Sequence, residues 1–444
     1  MKIKILFASL LTLVLFTAAH AQMPDKAKLD RFFDRLAEKN KAMGSLVVAK
    51  DGNVLYTRAI GYSQVSGIER KPVSAATRYR VGSIAKMFTA AIIFQLVEER
   101  KLKLTDTLDK FFPQIPNARK ITLAHMLAHR SGIYDLTQAR DFQTWSMNPK
   151  TKDEMLAVIA KGTPDFEPGA KYTYSNSGYI LLGYIVEKLT GKPYHEALKK
   201  RITSKIGLKD TYVGTGKSDV GKNESLSYSY AGDWKPEIET DMSIPGGAGA
   251  IISTPNDLTK FIQALFDLKL VSQESLASMK TIRDGYGLGM QTYQLDGKTF
   301  YGHGGAIDGF KSILVYLPEE KLAVAYTSNG AVYPRNNILL GVIDIYYNKQ
   351  FQIPTFETIA VSTEVLDKYV GVYSIPGVPV KFTITRDGET LYAQPTGQTA
   401  VPLESTAADK FKFEPLGIVF EFDAAKNQMI QKRGGRERVF TKEN

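Results

Sequence analysis

Ser83-Ile84-Ala85-Lys86 is the one Ser-x-x-Lys in the chain. On a helix, residues three apart share a face, so this hydroxyl and this amine can meet. Gly82 places Ser83 near a helix start, where unpaired N–H groups and the helix dipole favour developing negative charge. A lysine held in a partly dry site loses basicity and can accept a proton. The pair therefore has the parts of an activated serine nucleophile. A capping serine followed by a surface lysine has the same spacing, so the motif needs company. Tyr174-Ser175-Asn176 is one candidate. In an extended loop, residues two apart point the same way, so a phenol and an amide could face one pocket. A phenol beside a cation is expected to ionise more easily and to shuttle protons, while the amide could hold a substrate carbonyl or amide. The breakers Pro168-Gly169 and Asn176-Ser177-Gly178 support the loop.

His303-Gly304-Gly305-Ala306 follows a strand-like run. Paired glycines let a substrate backbone approach a strand edge, and a backbone N–H just beyond could join that of Ser83 in an oxyanion hole. His303 is expected to bind a carboxylate or donate a hydrogen bond.

These segments must be brought together by the elements around them. Residues 27–42 carry Leu29, Phe32, Phe33 and Leu36 at helical spacing. Gly44–Lys50 and Val54–Tyr62 read as a hairpin across Asp51-Gly52-Asn53. Ser83 to Leu102 reads as a helix apolar almost all round, hence buried. Residues 105–200 look mainly helical, with a clear apolar helix over Ile180–Leu189, and Asp257–Phe266 is a further helix after the breaker-rich Pro245-Gly246-Gly247. Strand-like runs follow at Tyr286–Tyr293, Thr299–Gly302, Ser312–Leu317 and Leu322–Ser328, then a closing helix at Ile338–Tyr347. Strands from both ends with a helical insertion between them suit an α/β (α+β) sandwich: an antiparallel sheet flanked by helices, plus a helical subdomain. Residues 351–362 read as a linker. Beyond it, over 363–444, turn signals recur about every 8–12 residues and Val380–Ile384 alternates, which suits a small antiparallel β-barrel.

The chain has 444 residues, too many for one ordinary domain. Residues 1–21 read as a secretory signal peptide: Lys2 and Lys4, an apolar run over 5–18, and Ala19-His20-Ala21 before Gln22. The hydrolase unit is expected over 22–350, exported to the periplasm or medium, with no stable membrane anchor after cleavage. There is no cysteine, which excludes cysteine nucleophiles and cysteine-ligated metals, and also a lipid-anchored leader. The formal charge of +11 falls to +9 without Lys2 and Lys4. No basic run points to nucleic acid. Gly214-Thr215-Gly216-Lys217-Ser218 lacks the glycine that a phosphate loop needs at position 211, which is Thr211. The histidines show no paired ligand spacing, so no metal or cofactor is expected. His125 and His129 read as structural.

Taken in order, the three motifs resemble those of the serine β-lactamase and penicillin-binding-protein superfamily, in the branch of class C β-lactamases, DD-carboxypeptidases, D-aminopeptidases and esterases. The resemblance runs from about Leu29 to Tyr347. It extends to Tyr79–Lys86, His125–Gly132, Phe166-Glu167-Pro168-Gly169 and Ser253–Leu258. It implies that Ser83 is the nucleophile, Lys86 its base, Tyr174 the general acid and base, and Asn176 the holder of the acyl amide. The oxyanion hole would be the N–H groups of Ser83 and Ala306. The Lys-Thr-Gly usual at the third motif of class C β-lactamases is absent, which argues against efficient β-lactam turnover. The tail resembles the lipocalin-like module of some peptidases of this branch. The implied substrate is a small molecule or peptide, cell-wall derived in one reading. A sensor that acylates without turnover would use the same Ser83.

Overall fold

The computed structural model describes residues 24–443, apart from 296, 399, 414 and 415; the leader expected over 1–21 lies outside them. Helix α1 (Lys26–Glu38) is followed by strands β1 (Ala42–Lys50) and β2 (Asn53–Ile60). Helices α2 (Ala85–Glu98), α3 (Asn176–Thr190) and α4 (Pro255–Phe266) lie in the long middle segment. Strands β3 (Gln291–Leu295), β4 (Lys298–Ile307), β5 (Phe310–Leu317) and β6 (Leu322–Ala331), then helix α5 (Arg335–Tyr346), complete the unit. The sheet runs β3-β4-β5-β6-β1-β2, antiparallel throughout.

Period two along the strands explains the layers. Val47, Ala49, Leu314, Tyr316, Ala323 and Ala325 face a core shared with α2, α3 and α4. Their neighbours Leu46, Val48, Ile313, Val315, Val324 and Tyr326 face a second core under α1 and α5. A central strand covered on both faces must be apolar almost without alternation, and β1 is buried along nearly its whole length. The α/β sandwich with a helical subdomain expected from the pattern is the fold observed.

Two local differences matter for the site. The run at Tyr286–Tyr293 is strand only from Gln291; its first residues form a turn, with Gly287 N–H donating to the Met290 carbonyl at 2.8 Å. His303-Gly304-Gly305-Ala306 lies inside β4 rather than after a strand, paired through Gly304–Ile313 and Gly305–Ser312. Glycine punctuation made this stretch read as a strand end, whereas close packing is what requires glycine here.

The tail forms a nearly closed nine-stranded sheet from Gly371–Ser374 to Arg436–Lys442. Its two edge strands, Val401–Pro402 and Glu404–Ala407, are neighbours in sequence. Tyr369, Phe382, Phe411, Phe420, Phe422 and Phe440 pack together in its core. Residues 351–362 are docked. Phe351 packs edge-on against Phe32, Phe356 against Tyr333, and Ile359 N–H reaches the Ser405 carbonyl at 3.1 Å. Lys41, almost buried, bridges to Glu404 at 2.5 Å and ties the tail to the start of β1.

Candidate active site

Ser83 stands on a tight helical turn, Gly82–Ile84, that leads directly into α2. Gly82 has φ +52°, and a Cβ there would meet the Ala306 nitrogen and oxygen at 2.8 Å. The turn is thus pressed against β4, with the backbone of Ala306 beside Ser83. Arg80, fully buried, anchors the preceding strand through Glu239 at 3.0 Å and Asp308 at 3.3 Å.

Lys86 is completely buried one turn further on. Its Nζ reaches Ser83 Oγ at 3.0 Å, Asn176 Oδ1 at 2.8 Å and the Ala248 carbonyl at 2.9 Å. Among the described residues no carboxylate lies within ion-pair distance of it. Burial therefore dominates and lowers the Lys86 pKa to about 7, against a smaller upward pull from Asp135. Near neutrality much of it is a free amine able to take the Ser83 proton.

The Tyr174 phenol lies near enough to Ser83 to be affected by its hydroxyl. Lys86 Nζ sits 4.9 Å from the centre of the Tyr174 ring, over its face. Desolvation outweighs the effect of Ser83, so the phenol is held well above its ordinary pKa. Easier ionisation is not what the surroundings favour, because burial disfavours the charged phenolate. A phenol so placed keeps its proton at rest, and the buried amine is the group able to accept one. Asn176 is the first residue of α3, with Ser175 extended as its cap. Loop and helix start together turn the phenol and the amide into one pocket.

On β4, Gly305 packs on the nucleophile turn: a Cβ there would lie 1.9 Å from the Val81 carbonyl oxygen. At Gly304 a Cβ would lie 2.7 Å from the Arg335 guanidinium. Arg335, at the start of α5, donates to the Gly305 carbonyl. Ala306 is exposed at the cleft. His303 is 2% exposed. Its Nδ1 faces the Gly304 carbonyl, which can only accept, so Nδ1 carries the proton and Nε2 accepts from Tyr286 at 3.0 Å. Burial, with Lys86 and Arg335 nearby, lowers its pKa to about 3. His303 is therefore a neutral prop, and the cation beside the glycines is Arg335.

The cleft opens beside Ser83 as a cavity of about 720 Å³. Its wall is mixed: Phe142, Met147, Ile180, Ile238 and Ile244 supply an apolar patch, while Thr137, Gln143, Asn176, Glu237 and Asp308 are polar and Ala306 also lines it. Sequence reasoning missed Asp135, Ala248 and Arg335, which lie outside the three motifs. Ala248 falls in a stretch read only as a helix breaker. His125 closes a capping box with Thr122. His129 packs 4.1 Å from the Tyr174 ring and accepts from Ser175 N–H at 3.1 Å, so it props the tyrosine loop.

The profile of the family described as Beta-lactamase matches residues 29–343. "Penicillin-binding protein 4*" of Bacillus subtilis is 26% identical over 92% of this chain and 97% of its own length. The D-amino acid amidase from Ochrobactrum anthropi SV3, solved with D-phenylalanine, is 25% identical with a TM-score of 0.64, covering 72% of this chain and 98% of that one. The octameric penicillin-binding protein homologue from Pyrococcus abyssi is 27% identical with a TM-score of 0.65, covering 94% of this chain and all of that one.

Proposed function

The chain belongs to the beta-lactamase family of serine hydrolases, and on that footing we propose that it is exported and cleaves amide, peptide or ester bonds through an acyl-enzyme on Ser83. The observation that carries this is the buried Lys86 amine, 3.0 Å from Ser83 Oγ and, among the described residues, without a carboxylate at ion-pair distance. The substrate carbonyl oxygen enters between the N–H groups of Ser83 and Ala306. Lys86 takes the hydroxyl proton as Oγ attacks, and the oxyanion is held by dipoles already in place. Tyr174, a neutral phenol, protonates the leaving group and recovers a proton from the Lys86 ammonium. The same pair then deprotonates water to release the acyl group.

The apolar patch of the cavity wall, formed by Phe142, Met147, Ile180, Ile238 and Ile244, supports an acyl side with a bulky hydrophobic residue, and the amidase likeness supports D configuration. Export rests on the leader over residues 1–21. Intact-mass spectrometry after incubation with D-phenylalanine amide, its L form, a D-Ala-D-Ala peptide, penicillin and a simple ester tests the reading. Transient mass gain with D-amide turnover is expected. A permanent adduct without product would mark a sensor instead, and no adduct with any of the five would overturn the proposal.

Arg335 is assigned the leaving-group side, where it would pair with a substrate carboxylate. Arg335→Ala should raise KM for a carboxylate-bearing peptide about 10- to 100-fold, the value of a hydrogen bond to a charged group. KM for a neutral amide should change by less than about 3-fold. Equal effects on both substrates would remove that role.

A further inference from the structure

Asp135 follows Ser131-Gly132 and is 6% exposed. It is not among the residues that line the cavity beside Ser83. Its Oδ2 accepts from Asn176 Nδ2 at 3.1 Å and its Oδ1 from Thr137 N–H at 3.2 Å. Asn176 Oδ1 is left facing Lys86. The orientation of this amide follows from chemistry. Reversed, it would put an oxygen against a carboxylate and an NH₂ against an amine that is often an ammonium, losing both bonds.

We infer that Asp135 is a positioning residue for acylation: it holds the Asn176 amide with its oxygen on Lys86 and so sets the polar surroundings in which that amine exchanges its proton. The inference rests on the reading of Ser83 and Lys86 as the acylating pair. The other groups facing Lys86 do not compete with the Asp135 charge. Ser83, the Ala248 carbonyl and the Tyr174 and Tyr179 rings are uncharged. His129 and His303, whose pKa values burial lowers, are neutral. Asp165 lies near Asp135, and burial raises its carboxyl, with Asp135 adding to the shift. Asp135 is thus the carboxylate felt by the amine.

The test is the pH dependence of fluorophosphonate labelling in the full chain, because fluoride leaves without help from Tyr174. Asp135→Asn keeps shape and removes charge. Its acid limb should move down by about one pH unit, the size of one such charge interaction. One unit below the parent midpoint, labelling should rise from about a tenth of its plateau to about a half, while the plateau itself falls. Asp135→Ser carries the same expectation should the asparagine variant fail to fold, and Asp135→Glu should bring the limb back. A parent-like midpoint in the neutral variants overturns the inference while leaving the acylation reading intact. Labelling of Ser83→Ala at the parent rate would instead overturn that reading.

Discussion

Ser83→Ala is expected to fold like the parent and to form no acyl-enzyme, with turnover of every accepted substrate reduced by at least about 10⁴-fold. The hydroxyl is the only part of residue 83 that alanine removes, its backbone N–H being kept, and the turn around it is held by other groups. The Ser312 hydroxyl donates to the Val81 carbonyl at 3.0 Å, and Gly305 packs on the same carbonyl. Lys86 keeps its bonds to Asn176 and Ala248 when Oγ is removed. The change in stability should therefore stay within about 1.5 kcal/mol, the usual value of one hydrogen bond. Intact-mass spectrometry reads the adduct and thermal unfolding reads the fold. A normal adduct on the alanine variant would place the nucleophile elsewhere.

Lys86→Met should lower the acylation rate by about 10²- to 10⁴-fold, the usual cost of losing a general base. Two pH signatures accompany it. In the parent, acylation should rise with pH through about 7, where Lys86 loses its proton. The variant, lacking the amine, should lose that limb. Stability should also rise with pH, over a window that begins where the activity limb ends. The folded Lys86 gives up its proton near 7, while the unfolded lysine keeps it to about 10.4, so between these values the unfolded chain binds more protons. Parent stability from this group therefore rises with pH across that window and is lowest below 7. The methionine variant should show no such rise and should be the more stable protein below pH 7. Unfolding curves at pH 6 and pH 9 for both proteins check this. A retained acid limb near 7 in the variant would assign that titration to another group.

The two neutral histidines show where sequence reading stops. His303-Gly304-Gly305 could be located by its residue types, and its place beside Ser83 followed from the family pattern. What each residue does there depended on contacts from distant segments. Gly305 is small because the Val81 carbonyl lies against it, 224 positions earlier in the chain. Gly304 is small because Arg335 fills the space above it. His303 turned inward to Tyr286. Asp135 carried no signal of its own, since its function is to orient an amide that lies 41 residues away.

The residue types and their spacing settled the chemistry available: one Ser-x-x-Lys, a tyrosine and an amide two apart, a glycine-rich strand, and no cysteine to offer another nucleophile of that kind. Period two and the helical repeats also settled the layered sandwich, because apolar spacing dictates which faces must be covered. Proton affinities could not be read that way. They depend on how much water reaches each group and which charges surround it, and both are created only when α2, α3, β4 and the Gly246–Gly249 turn close around Lys86. Burial lowers the proton affinity of the amine and raises that of the phenol, and that contrast, on which the proposed roles rest, belongs to the tertiary structure alone.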